Sequence, residues 1–190
     1  MQNNNVKILC GVIRKRSAEH AVAMSRMNDL PGMMASILRQ ELDSMVRAIY
    51  LLSENDVTNR ERLAGQTLTG EKWTALTVNN KMRGIKDKDL VDLANNLQGW
   101  SRSVYTFGCA FIHLSNYHDY SEKNPFDSLD FNERSDILSH LRHYHGGPSN
   151  DNPSFSELAE YFPNVFEKIS GNLDFYLECL EGNKTSLAAL

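Results

Sequence analysis

Residues 31–54 read PGMMASILRQELDSMVRAIYLLSE. Met34, Ile37, Leu38, Leu42, Met45, Ile49 and Leu52 recur at spacings of three and four. That period puts them on one face of an α-helix, so a strong amphipathic helix is expected over residues 33–54. Asn28-Asp29-Leu30-Pro31-Gly32 ahead of it is a breaker. Upstream, residues 14–28 look helical, residues 6–13 suit a strand or the start of a helix, and how residues 1–30 pack is left open by the sequence.

Downstream the helical period continues. Asp56 to Gly70 suits a short helix between turns. A long helical stretch is expected from about Asp87 to Tyr120, about 50 Å if straight, with Gly99 and Gly108 as places for a bend or a close approach. Ser121 to Pro125 ends it. Asp130-Phe131-Asn132-Glu133 resembles a capping box, and Gly146-Gly147-Pro148 stops the helix of residues 131–145. Ser154 is a second cap. Helices are expected over 155–161 and 163–181, with Pro163 in a first turn. Residues 182–190 are expected to be a loose tail. Without a repeat or an alternating strand set, the fold class is all-α: an antiparallel bundle of five to seven helices over residues 31–181.

Composition narrows the function. The 190 residues are 41% hydrophobic with a net charge of −4, unlike a protein that coats nucleic acid with a basic face. The one dense basic run, Arg14-Lys15-Arg16, suits a solvated helix face. Three scattered cysteines (Cys10, Cys109, Cys179) without a CxxC point to free thiols and a cytoplasmic protein. Cys109 suits a small core position. The N-terminus is unlike a secretory signal, and no window approaches the ~18 apolar residues of a membrane span. Trp73 and Trp100 suit core or dimer-interface anchors, and the seven methionines suit packing.

The chemistry-bearing residues cluster late in the 87–120 stretch, in HLSNYHDY (113–120). If the helix continued, Trp100, Val104, Phe107, Phe111, Leu114 and His118 would share a stripe that is apolar for four turns and polar at its end. His113 and His118 are five apart, a poor spacing for ligands of one metal ion. On residue pattern alone, His118 suits a core histidine bonded to a neighbouring helix, with Ser115 and Tyr120 as local partners. A second cluster, His140, His143 and His145, puts the first two on one face. Joined by Asp119 or Asp136 it would suit a metal, and its place at a helix C-terminus also suits the dipole. Gly146-Gly147-Pro148 lacks the pattern of a phosphate loop.

The spacing His-x4-His-x-Tyr over residues 113–120 resembles the Arg-x4-His-x-Tyr motif of the HEPN-domain family, with His113 where the family has Arg. Arg39, Glu41 and Arg47 on the earlier helix add to the resemblance, which covers residues 33–181. It implies a homodimeric, metal-independent endoribonuclease of a prokaryotic defence or toxin–antitoxin system, with two motifs facing one cleft. It implies RNA as substrate, a protein antitoxin or partner, and no cofactor. On that resemblance His118 would be general base or acid, His113 the second proton-transfer group, and Tyr120 an orienting group. Ser115 and Asn116 would donate to phosphate oxygens. A non-catalytic HEPN-like binding or regulatory partner is the alternative. A metal-dependent hydrolase built on the His140–His145 cluster is a third.

Overall fold

The computed structural model describes residues 4–182 apart from 77, 78 and 80. The expected tail, residues 183–190, lies outside the described residues. Among them run helices α1 (Asn5–Arg26), α2 (Pro31–Ser53) and α3 (Val57–Leu68), then a short hairpin of β1 (Thr74–Leu76) and β2 (Met82–Gly84). After it come α4 (Asp87–Gln98), α5 (Ser101–Ile112), α6 (Phe131–His145), the five-residue α7 (Phe155–Ala159) and α8 (Phe162–Glu181). The fold is an all-α bundle. Among the described residues no helix is long and apolar enough to cross a membrane.

The amphipathic period of residues 33–54 becomes the axis of the bundle. Of the 23 residues of α2, 16 are buried, and the helix packs against α1, α4, α5, α7 and α8. A helix surrounded this way has more than one apolar face. Its buried stripe therefore takes in Ala35, Val46, Ala48 and Leu51 beyond the residues that carry the period. Pro31 sits in the first turn, where its missing N–H is not needed.

Burial on every side leaves α2's polar groups needing partners. Glu41 has no exposed surface. Its carboxylate accepts from Ser17 Oγ and, at 2.6 Å, from His20 Nδ1, both on α1. Arg16 Nη1 donates to Ser44 Oγ at 3.0 Å. These contacts run in opposite sequence order, so α1 and α2 are antiparallel. Residues 1–30, which the sequence left open, thus supply a packed helix whose Val6, Leu9, Cys10, Ile13 and Met24 are buried. The basic run is partly clasped: Arg14 pairs with Asp174 and Glu181 of α8 at 3.1 and 2.7 Å.

The expected helix over 87–120 is two helices. Gly99 takes the left-handed conformation (φ 76°) that caps α4, and Asn95 Oδ1 then accepts from Arg102 N at 3.1 Å as α5 begins. Gly108 is where α5 comes against α2. A Cβ there would lie 2.6 Å from the Cβ of Arg39, so only glycine permits this approach. Arg39 then lies over the Tyr105 ring at 4.1 Å, and its Nε donates to Cys109 Sγ at 3.3 Å. Cys109 is therefore half-buried rather than a core residue. The hairpin is also a departure from the sequence reading.

The caps in the second half form as their residue types require. Asp130 accepts from Glu133 N at 2.9 Å while Glu133 accepts from Asp130 N, and Ser154 and Glu157 repeat the arrangement. Gly146 ends α6 with φ 78°. Trp73 and Trp100 are both buried.

His20→Ala would strip one of two partners from a buried carboxylate. It is expected to cost about 3 kcal/mol or more, with His20→Gln costing less. Urea unfolding with an unchanged slope checks this.

Candidate functional site

The expected polar helix end lies beyond the helix. α5 stops at Ile112, and His113 is extended (ψ 143°). Two serines complete the helix end. Ser115 Oγ donates to the Ala110 carbonyl at 2.7 Å, and Ser36 Oγ of α2 donates to that of Phe111 at 3.2 Å. A side chain that satisfies terminal carbonyls offers the backbone an alternative to another helical turn. Ser115 also accepts from Tyr117 N at 3.2 Å, starting a single 3-10 turn over Asn116–Asp119.

The apolar-to-polar stripe therefore breaks after Phe111, and Leu114, on its expected continuation, is 95% exposed. His113 and His118 are both exposed, which overturns the reading of His118 as a core histidine. His118 Nδ1 lies 3.3 Å from Ser115 N and 3.4 Å from Ser115 O. It either accepts from the N–H or donates to the carbonyl, according to tautomer. Nε2 has no protein partner among the described residues. Its ring is tilted against that of Phe111, with the centroids 6.0 Å apart.

The other sequence candidates divide. Asn116 is exposed, with its amide 3.5 Å from Ser128 Oγ. Ser115 is committed to the helix end, so its hydroxyl proton is not available to a phosphate. Tyr120 is half-buried. Its ring packs on Phe111 and Phe155 and over Gly32, where a Cβ would come 2.9 Å from Cε1. No hydrogen bond joins Tyr120 to His118 among the described residues. Glu41, part of the motif context, serves the α1–α2 clasp, and Arg39 and Arg47 bind Asp43 and Asp87 in an ion-pair cluster.

The second histidine cluster also comes apart. His140 and His145 line a half-enclosed cavity of about 80 Å³ between α5, α6 and α8. His143 lines a separate groove with Arg134, Arg142 and Asp151. Among the described residues no group of three metal-ligating side chains comes together, so the His140–His145 cluster does not assemble a ligand set there.

The cavity is a feature the sequence reading missed. Its walls are almost wholly apolar: Trp100 just ahead of α5, Val104 and Phe107 of α5, Leu141 of α6, Phe162 and Val165 of α8. Three basic side chains, Lys168, His140 and His145, are among its lining residues. Lys168 Nζ lies over the Tyr144 ring, 5.4 Å from the Trp100 ring centroid. Burial lowers its pKa to about 8, and it makes no ion pair among the described residues. Burial also lowers the pKa of His140, which Lys168 reinforces and Asp136 opposes, and that of His145, again with Lys168 adding to the effect. His140 Nδ1 is buried without a hydrogen-bond partner. The signal available in the sequence was the spacing of Leu141, Tyr144 and His145 from His140, but nothing in it joins these residues to Lys168.

No family model matches this chain, and no curated protein or solved structure is significantly similar to it. Function has to be argued from the two regions themselves.

An amine with a pKa near 8 carries a large unprotonated share at mildly alkaline pH, whereas an ordinary lysine, at 10.5, carries almost none. Lys168 is therefore expected to react with acetic anhydride at pH 8 ahead of the other lysines, as read by peptide mass spectrometry. The linkage has a definite sign. The folded amine releases its proton at lower pH than the unfolded one, so its penalty on stability is full below pH 8 and is relieved between about 8 and 10.5. Uniform labelling of all lysines would contradict this environment.

Proposed function

We propose that this chain is an HEPN-like, metal-independent endoribonuclease that works as a homodimer, with His118 as its main proton-transfer group. The observation that carries the reading is the setting of His118. Its imidazole is exposed, one nitrogen is held against the Ser115 backbone, and the other meets only solvent. With Nδ1–H donating to the Ser115 carbonyl, Nε2 presents a lone pair to an incoming hydroxyl.

In that role Nε2 takes the proton of an RNA 2′-hydroxyl as the oxygen attacks the adjacent phosphorus. An O–P bond forms, the bond from phosphorus to the 5′-oxygen breaks, and the leaving oxygen takes a proton from a second acid. The products are a 2′,3′-cyclic phosphate and a 5′-hydroxyl. His113, exposed on the same loop, is the candidate second acid. Asn116 remains a candidate donor to phosphate oxygens, while Ser115 acts by holding His118. Tyr120 braces the loop from below through Phe111 and Gly32 rather than orienting the imidazole. The second protomer would supply the opposite wall of the cleft. A cytoplasmic setting is in keeping with three free thiols.

A second reading, a non-catalytic HEPN-like binding or regulatory partner such as the target of an antitoxin, is favoured by one feature. His113 stands where the motif has Arg, and an imidazole lacks the permanent charge and forked donors that stabilise a phosphorane.

The test is incubation of the protein with mixed single-stranded RNA in EDTA at about pH 5 to 8. Metal-independent cleavage with cyclic phosphate ends is expected, and His118→Ala should lower the rate by about 100-fold or more. Undiminished cleavage by His118→Ala removes that histidine from the mechanism. Absence of cleavage by the wild type at every pH favours the second reading.

A further inference from the structure

The two edges of the β1–β2 hairpin are finished differently. Ile85 N donates to the Trp73 carbonyl at 2.9 Å, so Trp73 and Ile85 form a hydrogen-bonded pair. Such pairs alternate along an antiparallel ladder. Thr74 stands opposite Gly84, Ala75 opposite Arg83 and Leu76 opposite Met82, so the next bonded pair is Ala75–Arg83. The backbone N–H and C=O groups of Thr74 and Leu76 on one strand, and of Met82 and Gly84 on the other, therefore point away from the hairpin. On β1 that edge is covered: Arg62 of α3 donates to the Thr74 carbonyl at 2.7 Å and to the Thr74 hydroxyl at 3.1 Å. On β2 all three residues are exposed, and the outward groups of Met82 and Gly84 have no protein partner among the described residues. An open strand edge is a template for another strand.

We infer that the β2 edge is a docking site for an extended segment of a partner protein in which acidic and apolar residues alternate. Its backbone would pair with Met82 and Gly84 as a third strand. Side chains of a strand alternate between its two faces. One face carries Leu76 and Met82, cross-strand neighbours that are 68% and 56% exposed, and these suit the apolar set. A Cβ at Gly84 would meet nothing within 4 Å, so that face stays open beyond them. Arg83 belongs to the other face, and Lys81 and Lys86 bracket the strand. Residues 71–89 carry five basic side chains against three acidic ones. Two of those acids, Asp87 and Asp89, are engaged by Arg39, Arg47 and Arg83, while Lys72, Lys86 and Lys88 are exposed. On a chain of net charge −4 this is a basic island, and it suits carboxylates. The same charges disfavour a second copy of this chain. The register that uses both Met82 and Gly84 would set Arg83 opposite Arg83, and like charges facing each other across a ladder are destabilising. The edge is thereby guarded against itself and open to an acidic strand. This docking site uses no residue of the histidine loop and is independent of the ribonuclease reading.

The test is fluorescence anisotropy of two labelled probes with the full chain: a peptide of alternating Val and Glu, and its Val–Lys counterpart. The acidic peptide is expected to bind, with the basic one at least about tenfold weaker, and the binding should fall as salt is raised. Gly84→Pro removes one outward N–H and no hydrogen bond of the hairpin, on an edge where proline is tolerated and a Cβ has room. It should weaken binding of the acidic peptide at least about tenfold. Equal binding of the two peptides, binding of neither, or full binding to Gly84→Pro would overturn the inference. So would a dimer in sedimentation that Gly84→Pro dissolves, because it assigns the edge to a second copy. Should Gly84→Pro fold poorly, hydrogen exchange of the wild type decides instead. The acidic peptide should protect the Met82 and Gly84 amides and leave residues 113–120 unchanged, and failure to protect those two amides overturns the site.

Discussion

A carboxylate with no exposed surface sits near the middle of α2, and the architecture is arranged around keeping it satisfied. Leaving Glu41 unpaired in a bundle core would cost several kcal/mol. Ser17 and His20 of α1 bind it, which fixes both the rotation of α1 and its register along α2. Once α1 is seated there, its other face meets α3 and α8, and Arg14 reaches the acidic groups of α8. Apolar surface supplies most of the driving force for collapse, but it is tolerant of sliding. Two directed hydrogen bonds to one buried group are not.

The opposite side of α2 is set by shape. Gly108 lets α5 approach until Arg39 Cβ fills the space a side chain would have used, and Ser36 of α2 completes the carbonyl end of α5. The helix that carries the histidine loop is thereby pinned to the axis at two levels. This is why a segment rich in polar residues can stand exposed and still be ordered: its backbone ends are tied down and its aromatic members, Phe111, Tyr117 and Tyr120, are packed below it.

Legibility from sequence follows the range of the interactions involved. α2 was readable because seven apolar residues keep one period over more than five turns. The bounds of α6 were readable because its caps, Asp130 with Glu133 and then Gly146, are local, and the start of α8 because Pro163 sits in its first turn. Gly99 and Gly108 were marked together as places for a bend or a close approach; Gly99 ends α4 and Gly108 is the close approach. The end of α5 was misjudged because residues 113–120 contain neither Gly nor Pro, and the breaker is a serine acting through its hydroxyl. The hairpin escaped notice because each strand has three residues and β2 is exposed throughout, leaving no alternation to detect. The packing of α1 was hidden for a different reason: its decisive residues, Ser17 and His20, are polar and read as surface. In the candidate site, His113 and His118 were picked out by spacing, yet the exposure of His118 contradicts the stripe drawn through it. The cavity depends on Lys168 meeting His140 across two helices, and no local pattern encodes such a meeting.

The aromatic rings give the two regions a shared mechanical fate. Phe107 forms part of the cavity wall, lies 5.4 Å from Phe111 and 5.9 Å from Tyr117, and Phe111 in turn carries the His118 ring at 6.0 Å. All of this hangs on one rod of 12 residues, about 18 Å from end to end. Close-packed rings do not yield by small continuous amounts. Phe107 and Phe111 are one turn apart on that rod, so the wall of the cavity and the seat of the imidazole belong to a single packed layer.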